Sequence, residues 1–378
     1  MDRTRWGIVA LLFAAGLLAA MQFAKASLTL DLLAVRYPGA PVAFLVSAVA
    51  VMGVAFGVLA GAIVARTGPR RAILAAVAAS AALSLAEASL PGFWVLMALR
   101  ALEGAGHLAL VVALPTLMAG AASRADRPVV MGLWGTFFGV GFALTALAIP
   151  PLVRAGGAGA VFAAHGALLV AIWPALWLCL PRGDGGTASL AGPVAAHRAV
   201  YGAARRIAPG AGHGLYTSLF IALVAILPGA LGAAWLAPVL PVANLAGTFC
   251  AGVMARRIAP GRLVAWGFAA SAALFAGMLA AGPAAPWAAL AAMAATGVVA
   301  GAGFAAVPAL NEGQADQARA NGAMAQLGNV GTFSGTPLLI AATAAGGAEA
   351  LLLSAAAICA LGAIVTAVLY GRAARPAG

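Results

Sequence analysis

Residues 61–71 read Gly-Ala-Ile-Val-Ala-Arg-Thr-Gly-Pro-Arg-Arg, and residues 252–262 read Gly-Val-Met-Ala-Arg-Arg-Ile-Ala-Pro-Gly-Arg. Aligned without gaps, Gly61, Arg66, Pro69 and Arg71 match Gly252, Arg257, Pro260 and Arg262, at an offset of 191 residues. A second match lies at an offset of 190: Ala125-Asp126 pairs with Ala315-Asp316, and Gly132, Val140 and Gly141 pair with Gly322, Val330 and Gly331. Two matches with consistent offsets predict a duplicated unit.

The runs between these landmarks are apolar. Hydrophobic residues make up 64% of the 378 and charged residues only 8%. A water-facing surface typically needs about 25% charged residues. Soluble classes are therefore excluded, and the apolar excess must face the lipid bilayer. A span takes roughly 20 mostly apolar residues. Twelve runs fit: 6–33, 41–64, 72–89, 93–118, 129–153, 158–180, 212–235, 238–255, 263–281, 286–310, 321–344 and 349–370. The expected fold class is an all-α membrane protein of twelve transmembrane helices in two six-helix pseudo-repeat bundles. The bundles cover residues 1–180 and 212–378, and a more polar cytoplasmic linker covers 181–211. Within the linker, His197 to Arg206 reads either as a short interfacial helix with arginines at the headgroups or as a solvated loop.

The net charge of +12 would point to nucleic acid in a soluble protein. Here the cations sit between apolar runs, so no nucleic-acid partner is expected. If the N-terminus is cytoplasmic, the cytoplasmic segments hold Arg3, Arg5, Arg66, Arg70, Arg71, Arg124, Arg127, Arg182, Arg198, Arg205, Arg206, Arg256, Arg257, Arg262, Arg319, Arg372 and Arg375. The outer loops hold only Arg36 and Arg154. Short cytoplasmic loops carry the Lys/Arg excess. The bias predicts cytoplasmic termini, an even helix count and a multi-pass protein of a bacterial inner (plasma) membrane. The start, Met1 to Arg5 followed by an apolar run and Ala24-Lys25-Ala26, has the look of a cleavable signal peptide. The run continues past Ala26, and we read it as the first span.

Gly61, Arg66, Gly68, Arg70 and Arg71 match the loop signature that follows helix 2 in the major facilitator superfamily, which this chain resembles. The usual acidic residue of that signature is replaced by Ala65. Arg100 to His107 also fit the R-x-x-x-G-x-G run common in helix 4 of the family. Helices 4, 5 and 11 are similar in tone to bacterial cyanate-transporter-like members. The glycine-proline pair of helix 5 in drug/proton antiporters is missing; Gly135, Gly139 and Gly141 stand there without a central proline, which counts against a drug exporter. The resemblance implies a conformational role for the loop motif and a central cavity lined by helices 1, 4, 7 and 10.

Ionisable residues inside spans are costly and mark function by default. Lys25 falls in the first helix and Arg100, Glu103 and His107 in the fourth. At about 100° per residue, Glu103 lies about 60° from Arg100 and His107 about 20° from it, so the three share a face. Lys25 sits roughly 12 Å from the outer end of its helix, a depth similar to that of Arg100. Gln22, Lys25, Arg100 and Glu103 could then meet as a substrate and coupling site. The bland reading is a structural Arg100–Glu103 pair one turn apart, with His107 and His165 as packing histidines. Two cations against one carboxylate leave a positive surplus, which favours an anionic solute. Asp31, Glu87 and Glu349 are expected near outer ends, where water is available. The second half offers neutral groups instead, among them Tyr216, Asn244, Gln326 and Asn329, for hydrogen bonds to a solute or between helices.

No G-x-x-x-x-G-K-[ST] or H-E-x-x-H run is present. Cys179, Cys250 and Cys359 stand alone as packing residues. We therefore expect no catalytic residue, metal or cofactor. The expected function is secondary active transport of a small, anionic solute by alternating access, coupled to protons. The alternative is a non-transporting membrane sensor or assembly partner with a transporter fold. A monomer suffices for this layout.

Overall fold

Glycine and proline punctuate the apolar runs, and helix fills the space between them. The computed structural model describes residues 3–182 and 192–374. Residues 183–191 of the expected linker, and Arg375, lie outside the described residues. The helices are α1 (Trp6–Ser27), α2 (Leu30–Arg36), α3 (Phe44–Thr67), α4 (Pro69–Glu87), α5 (Phe93–Ala121), α6 (Arg127–Gly135) and α7 (Phe137–Cys179). They continue with α8 (Pro193–Tyr201), α9 (Ala204–Ala230), α10 (Leu236–Met254), α11 (Pro260–Gly277), α12 (Ala285–Leu310) and α13 (Gly313–Ala373). Among the described residues, ten helical runs are long and apolar enough to cross a membrane.

Two of those runs are too long for one crossing, and both fold back. In α7 the helical dihedrals fail at Gly156 and Gly157. Gly141, before the break, packs on Leu17 and Ala20 of α1. The His165 ring, after it, bonds to the Leu18 carbonyl. A straight helix would put residues 141 and 165 about 36 Å apart, so the chain must reverse between them. In α13 the break falls at Gly346 and Gly347. Gly210 meets Ala323 and Gly212 meets Thr366, which again requires a reversal.

Local chemistry explains the sharp ends. Gly68 sits at φ 83° between α3 and α4, a conformation that costs glycine little. Pro69 and Pro260 open α4 and α11, where the missing amide hydrogen is not needed. Thr29 donates to the Lys25 carbonyl at 2.6 Å and helps end α1.

Several boundaries differ from expectation, among them the start of the helix expected from residue 321, which begins at Gly313. The first run breaks at residues 28–29 into α1 and α2 rather than continuing to residue 33. The fifth is interrupted at Thr136. The helix expected from residue 212 begins at Ala204, so the tail of the linker is its first turns. The helical reading of the linker holds for α8. Its Ala196 and Val200 are buried with Val58 and Ala323, so it lies across α3 and α13.

The buried apolar residues form two large cores. One runs from Val9 to Leu180, with Ala305 and Ala318 added; the other runs from Ala208 to Tyr370. The helix sets meet along two seams where glycines face each other. A Cβ on Gly61 would lie 3.2 Å from the Gly322 Cα, and one on Gly252 would lie 2.8 Å from the Gly132 Cα. These are the residues paired by the internal repeat, now exchanged between the seams.

Polar contacts reinforce this end of the molecule. Asn321 donates to Thr116 at 3.0 Å. Arg256 pairs with Asp126 at 2.6 Å, and Thr4 donates to the same carboxylate at 2.6 Å. The Thr4 hydrogen bond, with those of Ser123 and the Arg256 charge, holds the Asp126 carboxyl below the usual carboxylate value. Its ion pair therefore persists throughout neutral and mildly acidic pH and fails only as pH falls through that lowered value. Arg5 donates its amide to Ala121 at 3.0 Å, so the chain start lies on this closed side.

A side chain cannot enter a glycine seam without separating two backbones. Gly252→Val is expected to destabilise the protein by about 1–3 kcal/mol, read as a lower melting temperature. Gly277→Ala, where a Cβ meets open space, is the control and should leave melting within about 1 °C. Equal melting of both variants would show that the seam does not limit stability.

Candidate functional site

Four charged side chains meet inside the first helix set. The Lys25 ammonium lies 2.7 Å from Glu87 Oε2 and 2.7 Å from Glu103 Oε1. Arg100 is paired with Glu103 Oε2 and lies 3.7 Å from Glu87 Oε2. All four are at most 1% exposed. Burying one such ion costs several kcal/mol, which only close opposite charges and good hydrogen bonds offset.

Each charge is delivered by a different feature of the sequence. Lys25 is in the last turn of α1, where carbonyls favour a cation. Arg100, Glu103 and His107 lie along the buried face of α5, as their spacing predicts. Gly104 lets α5 approach α3 so closely that a Cβ there would sit 2.8 Å from the Val49 carbonyl oxygen. That approach brings the Leu45 carbonyl within 3.0 Å of Arg100 Nε. Arg100 Nη2 donates to the Gln22 carbonyl at 2.7 Å.

The hydrogen inventory fixes the remaining roles. Lys25 has three protons and three acceptors at 2.7 Å: Glu87, Glu103 and the Ser84 hydroxyl. His165 Nε2 faces the Leu18 carbonyl at 2.9 Å, which can only accept, so that nitrogen carries hydrogen. Its Nδ1 lies 3.3 Å from Lys25 Nζ and 2.9 Å from Ser84 Oγ, whose one hydroxyl hydrogen also faces the Phe162 carbonyl at 2.9 Å. His107 Nδ1 faces the Ala19 carbonyl at 3.0 Å and Gln22 Oε1 at 3.1 Å, so it donates. Gln22 Nε2 donates to Ser80 at 2.8 Å. One group is left over: Glu87 Oε1 is buried and accepts no hydrogen bond.

The cluster is sealed from the side opposite the termini. Ala26, Leu33, Tyr37, Leu45, Leu96, Ala158 and Phe162 form an apolar cover. Tyr37 ties α2 to the Pro91 carbonyl at 2.6 Å, and Arg36 reaches the Leu90 carbonyl at 3.3 Å. Leu90 is held at φ 48°, a conformation that costs a residue with a Cβ roughly 1–2 kcal/mol.

This geometry brings Gln22, Lys25, Arg100, Glu103 and His107 together as expected. It corrects the reading of Glu87, which is not at a watery end but fully buried and paired with Lys25. The correction removes the positive surplus, because two cations face two carboxylates. His165 also joins the cluster instead of only packing. A signal for Glu87 was legible: Ser80, Ser84 and Glu87 recur at i, i+4 and i+7, a polar stripe on one face of α4.

The second-half candidates do not join this cluster. Tyr216 donates to Asn244 Oδ1 at 2.9 Å, and Asn244 donates to Thr296 at 3.1 Å and to the Met293 carbonyl at 3.2 Å. Gln326 donates to the Val54 carbonyl at 2.8 Å and accepts from Tyr201 at 3.0 Å. Asn329 donates to its own helix at Ala325, 2.7 Å away, and packs on Gly53. Gln326 and Asn329 therefore hold the α3–α13 seam. In the loop motif, Gly61 serves that seam and Gly68 the turn. Arg70 donates to the Trp177 and Leu180 carbonyls at 2.8 and 3.2 Å, at the C-terminus of α7, where a cation is favoured. Arg66 and Arg71 flank the same turn.

Comparison with known proteins places the fold. The family model described as Major Facilitator Superfamily matches residues 7–210, more than half of the chain. Among curated proteins, no sequence matches. The human organic anion transporter TETRAN superposes with a TM-score of 0.75 at 18% identity, covering 95% of this chain and 98% of that one. The E. coli fucose:proton symporter FucP, in the outward conformation, gives 0.73 at 16%, covering 96% and 98%. The proton:xylose symporter XylE bound to 6-bromo-6-deoxy-D-glucose gives 0.76 at 14%, covering 95% and 94%. At these identities the likeness speaks to fold, while the family match rests on sequence. A multi-pass helical membrane protein with this repeat, this loop motif and this architecture belongs to the Major Facilitator Superfamily.

Proposed function

We propose that this protein is a secondary active transporter that moves a small solute by alternating access and couples it to protons. The observation that carries the reading is the buried quartet of Lys25, Glu87, Arg100 and Glu103. Twelve spans follow if α7 and α13 each cross twice. The arginine bias then puts both termini in the cytoplasm of a bacterial inner membrane. Residues 1–180 and 212–378 act as the two bundles, with α8 in the linker between them. The glycine seams close the cytoplasmic side in this state. A single copy supplies the whole arrangement.

Coupling follows from charge balance. With both carboxylates ionised the quartet is neutral, and neutrality is what lets it stay dry. Glu87 Oε1, which accepts no hydrogen bond, is the oxygen placed to take an incoming proton. Protonation there leaves the two cations in excess by one. An anionic solute approaching Arg100 or Lys25 restores the balance, so proton and solute favour each other's binding. TETRAN carries organic anions and XylE and FucP couple sugars to protons, as their names state; those chemistries bracket this proposal. Tyr216 and Asn244, and the His107–Gln22 pair, supply neutral hydrogen bonds. Gln326 and Asn329 serve the seam between the bundles.

Purified protein in vesicles tests the reading. An inward-acid gradient should drive solute accumulation, and Glu87→Gln should abolish that accumulation while leaving solute exchange measurable. If no solute moves under any gradient while the protein stays folded, the sensor or assembly-partner reading replaces this one.

The quartet also makes a stability prediction. Removing one charge strands its partners, so Lys25→Met should cost roughly 3–5 kcal/mol. Adding Glu87→Gln to Lys25→Met removes the stranded carboxylate and should recover part of that loss. A double variant no more stable than Lys25→Met alone would show that the two side chains are not coupled.

A further inference from the structure

Glu87 Oε1 is buried and unpartnered in this state, so water does not reach it. Part of the cover must move before that oxygen can exchange a proton. The cover's lightest element is α2. Leu33 is its buried residue, while Asp31, Leu32, Ala34, Val35 and Arg36 are exposed. Tyr37, which follows it, is also buried and packs edge-on against Phe93, with ring centroids 5.9 Å apart. Both ends of α2 are jointed. The chain turns at Leu28 and Thr29 before it. After it, Gly39 stands at φ 76° in open space, a conformation that costs glycine little.

The two hydrogen bonds from this element go to one turn. Tyr37 donates to the Pro91 carbonyl at 2.6 Å and Arg36 to the Leu90 carbonyl at 3.3 Å. That turn is built on Glu87 itself, because the Leu90 amide donates to the Glu87 carbonyl at 2.9 Å. Leu90 is held at φ 48°. A residue with a Cβ keeps that conformation only where its surroundings enforce it, and such residues gather at switch regions. The enforcing contacts here are those of Arg36 and Tyr37. Below the turn, Phe162 of the same cover lies 4.9 Å from the Lys25 ammonium. Lifting α2 therefore relaxes the turn and uncovers the quartet in one movement.

Resting on the reading of Glu87 as the proton acceptor, we propose that α2 is the gate through which protons reach it from the outer side. When α2 lifts, the Tyr37 and Arg36 bonds break and water enters. A hydronium ion gives its proton to Glu87 Oε1, forming the carboxyl O–H bond, and leaves as water. The charged groups that face this carboxyl are Lys25 from α1 and Arg100 from α5. Glu103 of α5 and His165 of α7 contact Lys25 beside it, and Asp31 and Arg36 are the charges on the gate. With α2 lowered, the proton is kept from returning to the side it came from. Tyr37 is a gating residue that touches neither proton nor solute.

Carboxyl labelling of the purified protein in nanodiscs tests this. The probe is a water-soluble carbodiimide with an amine, read by peptide mass spectrometry. The exposed Glu349 supplies the reference rate. In the unaltered protein Glu87 should react at least about tenfold more slowly than Glu349, because it reacts only when the gate opens. Tyr37→Phe removes one hydrogen bond from the closed gate and should speed Glu87 labelling about three- to tenfold. Val35→Ala, on the exposed side of α2, should leave that rate unchanged. Hydrogen exchange separates gate opening from general loosening. In Tyr37→Phe the amides of 30–37 and 88–92 should exchange faster together, while those of 93–118 keep their rates. Unchanged Glu87 labelling in Tyr37→Phe, an equal rise in Val35→Ala, or faster exchange throughout both helix sets overturns the gate. Neither readout needs a transported solute. Proton-driven accumulation beside unchanged labelling would sink the gate alone; the expected labelling in a protein that shows no such accumulation would sink the coupling reading alone.

Discussion

Charges removed from water must cancel, and this requirement organises the first helix set. Lys25, Glu87, Arg100 and Glu103 lie where neither water nor headgroups can screen them. The energy of any one alone would be prohibitive. Four helical legs are therefore held at one separation, because α1, α4, α5 and the second leg of α7 each supply a member or a direct partner of the cluster. Ser84 completes the proton inventory of Lys25, His165 stands beside both, and Gln22 ties His107 to Ser80. The apolar cover of α2 and the strained turn at Leu90 keep the dielectric low, which strengthens each remaining contact.

The second constraint is close approach. Helices in lipid gain little from burying apolar surface against each other, and packing takes over. Gly61 against Gly322 and Gly132 against Gly252 bring backbones together where the two helix sets meet. The same pairs are repeat partners with their roles exchanged. One duplicated surface thus meets the other twice, and the closed side is symmetric in backbone. The side chains break that symmetry. Arg256 reaches Asp126 on one seam, while its repeat counterpart on the other seam is Ala65, which offers no charge.

Much of this was readable in the chain. The period of apolar runs, the arginine bias and the two repeat offsets led to the helical architecture, and a spacing of three and four placed Arg100, Glu103 and His107 on one face. What escaped was depth. Glu87 is the last residue of its helix, and a terminal position suggests solvent. Only the fold shows that α2 and the 88–92 turn close over it. Gln326 and Asn329 escaped for a similar reason: spacing gives a face, but it does not say whether that face meets a cavity or another backbone. The fold-back at Gly156-Gly157 is sequence-legible as a break, whereas the interruption at Thr136 has no strong local signal.

The distribution of charge between the two helix sets has an electrical consequence. The paired ions buried within the spans, Lys25, Glu87, Arg100 and Glu103, all belong to one set, and they cancel within it. The spans of the other set carry neutral polar groups, such as Tyr216, Asn244 and Thr296. In the proposed cycle, where one set rocks against the other, the quartet carries no net charge across the membrane field. A moving elementary charge would couple to the potential by about 2.3 kcal/mol per 100 mV. On that proposal the unloaded quartet is electrically silent, and the voltage it feels is set by what is carried.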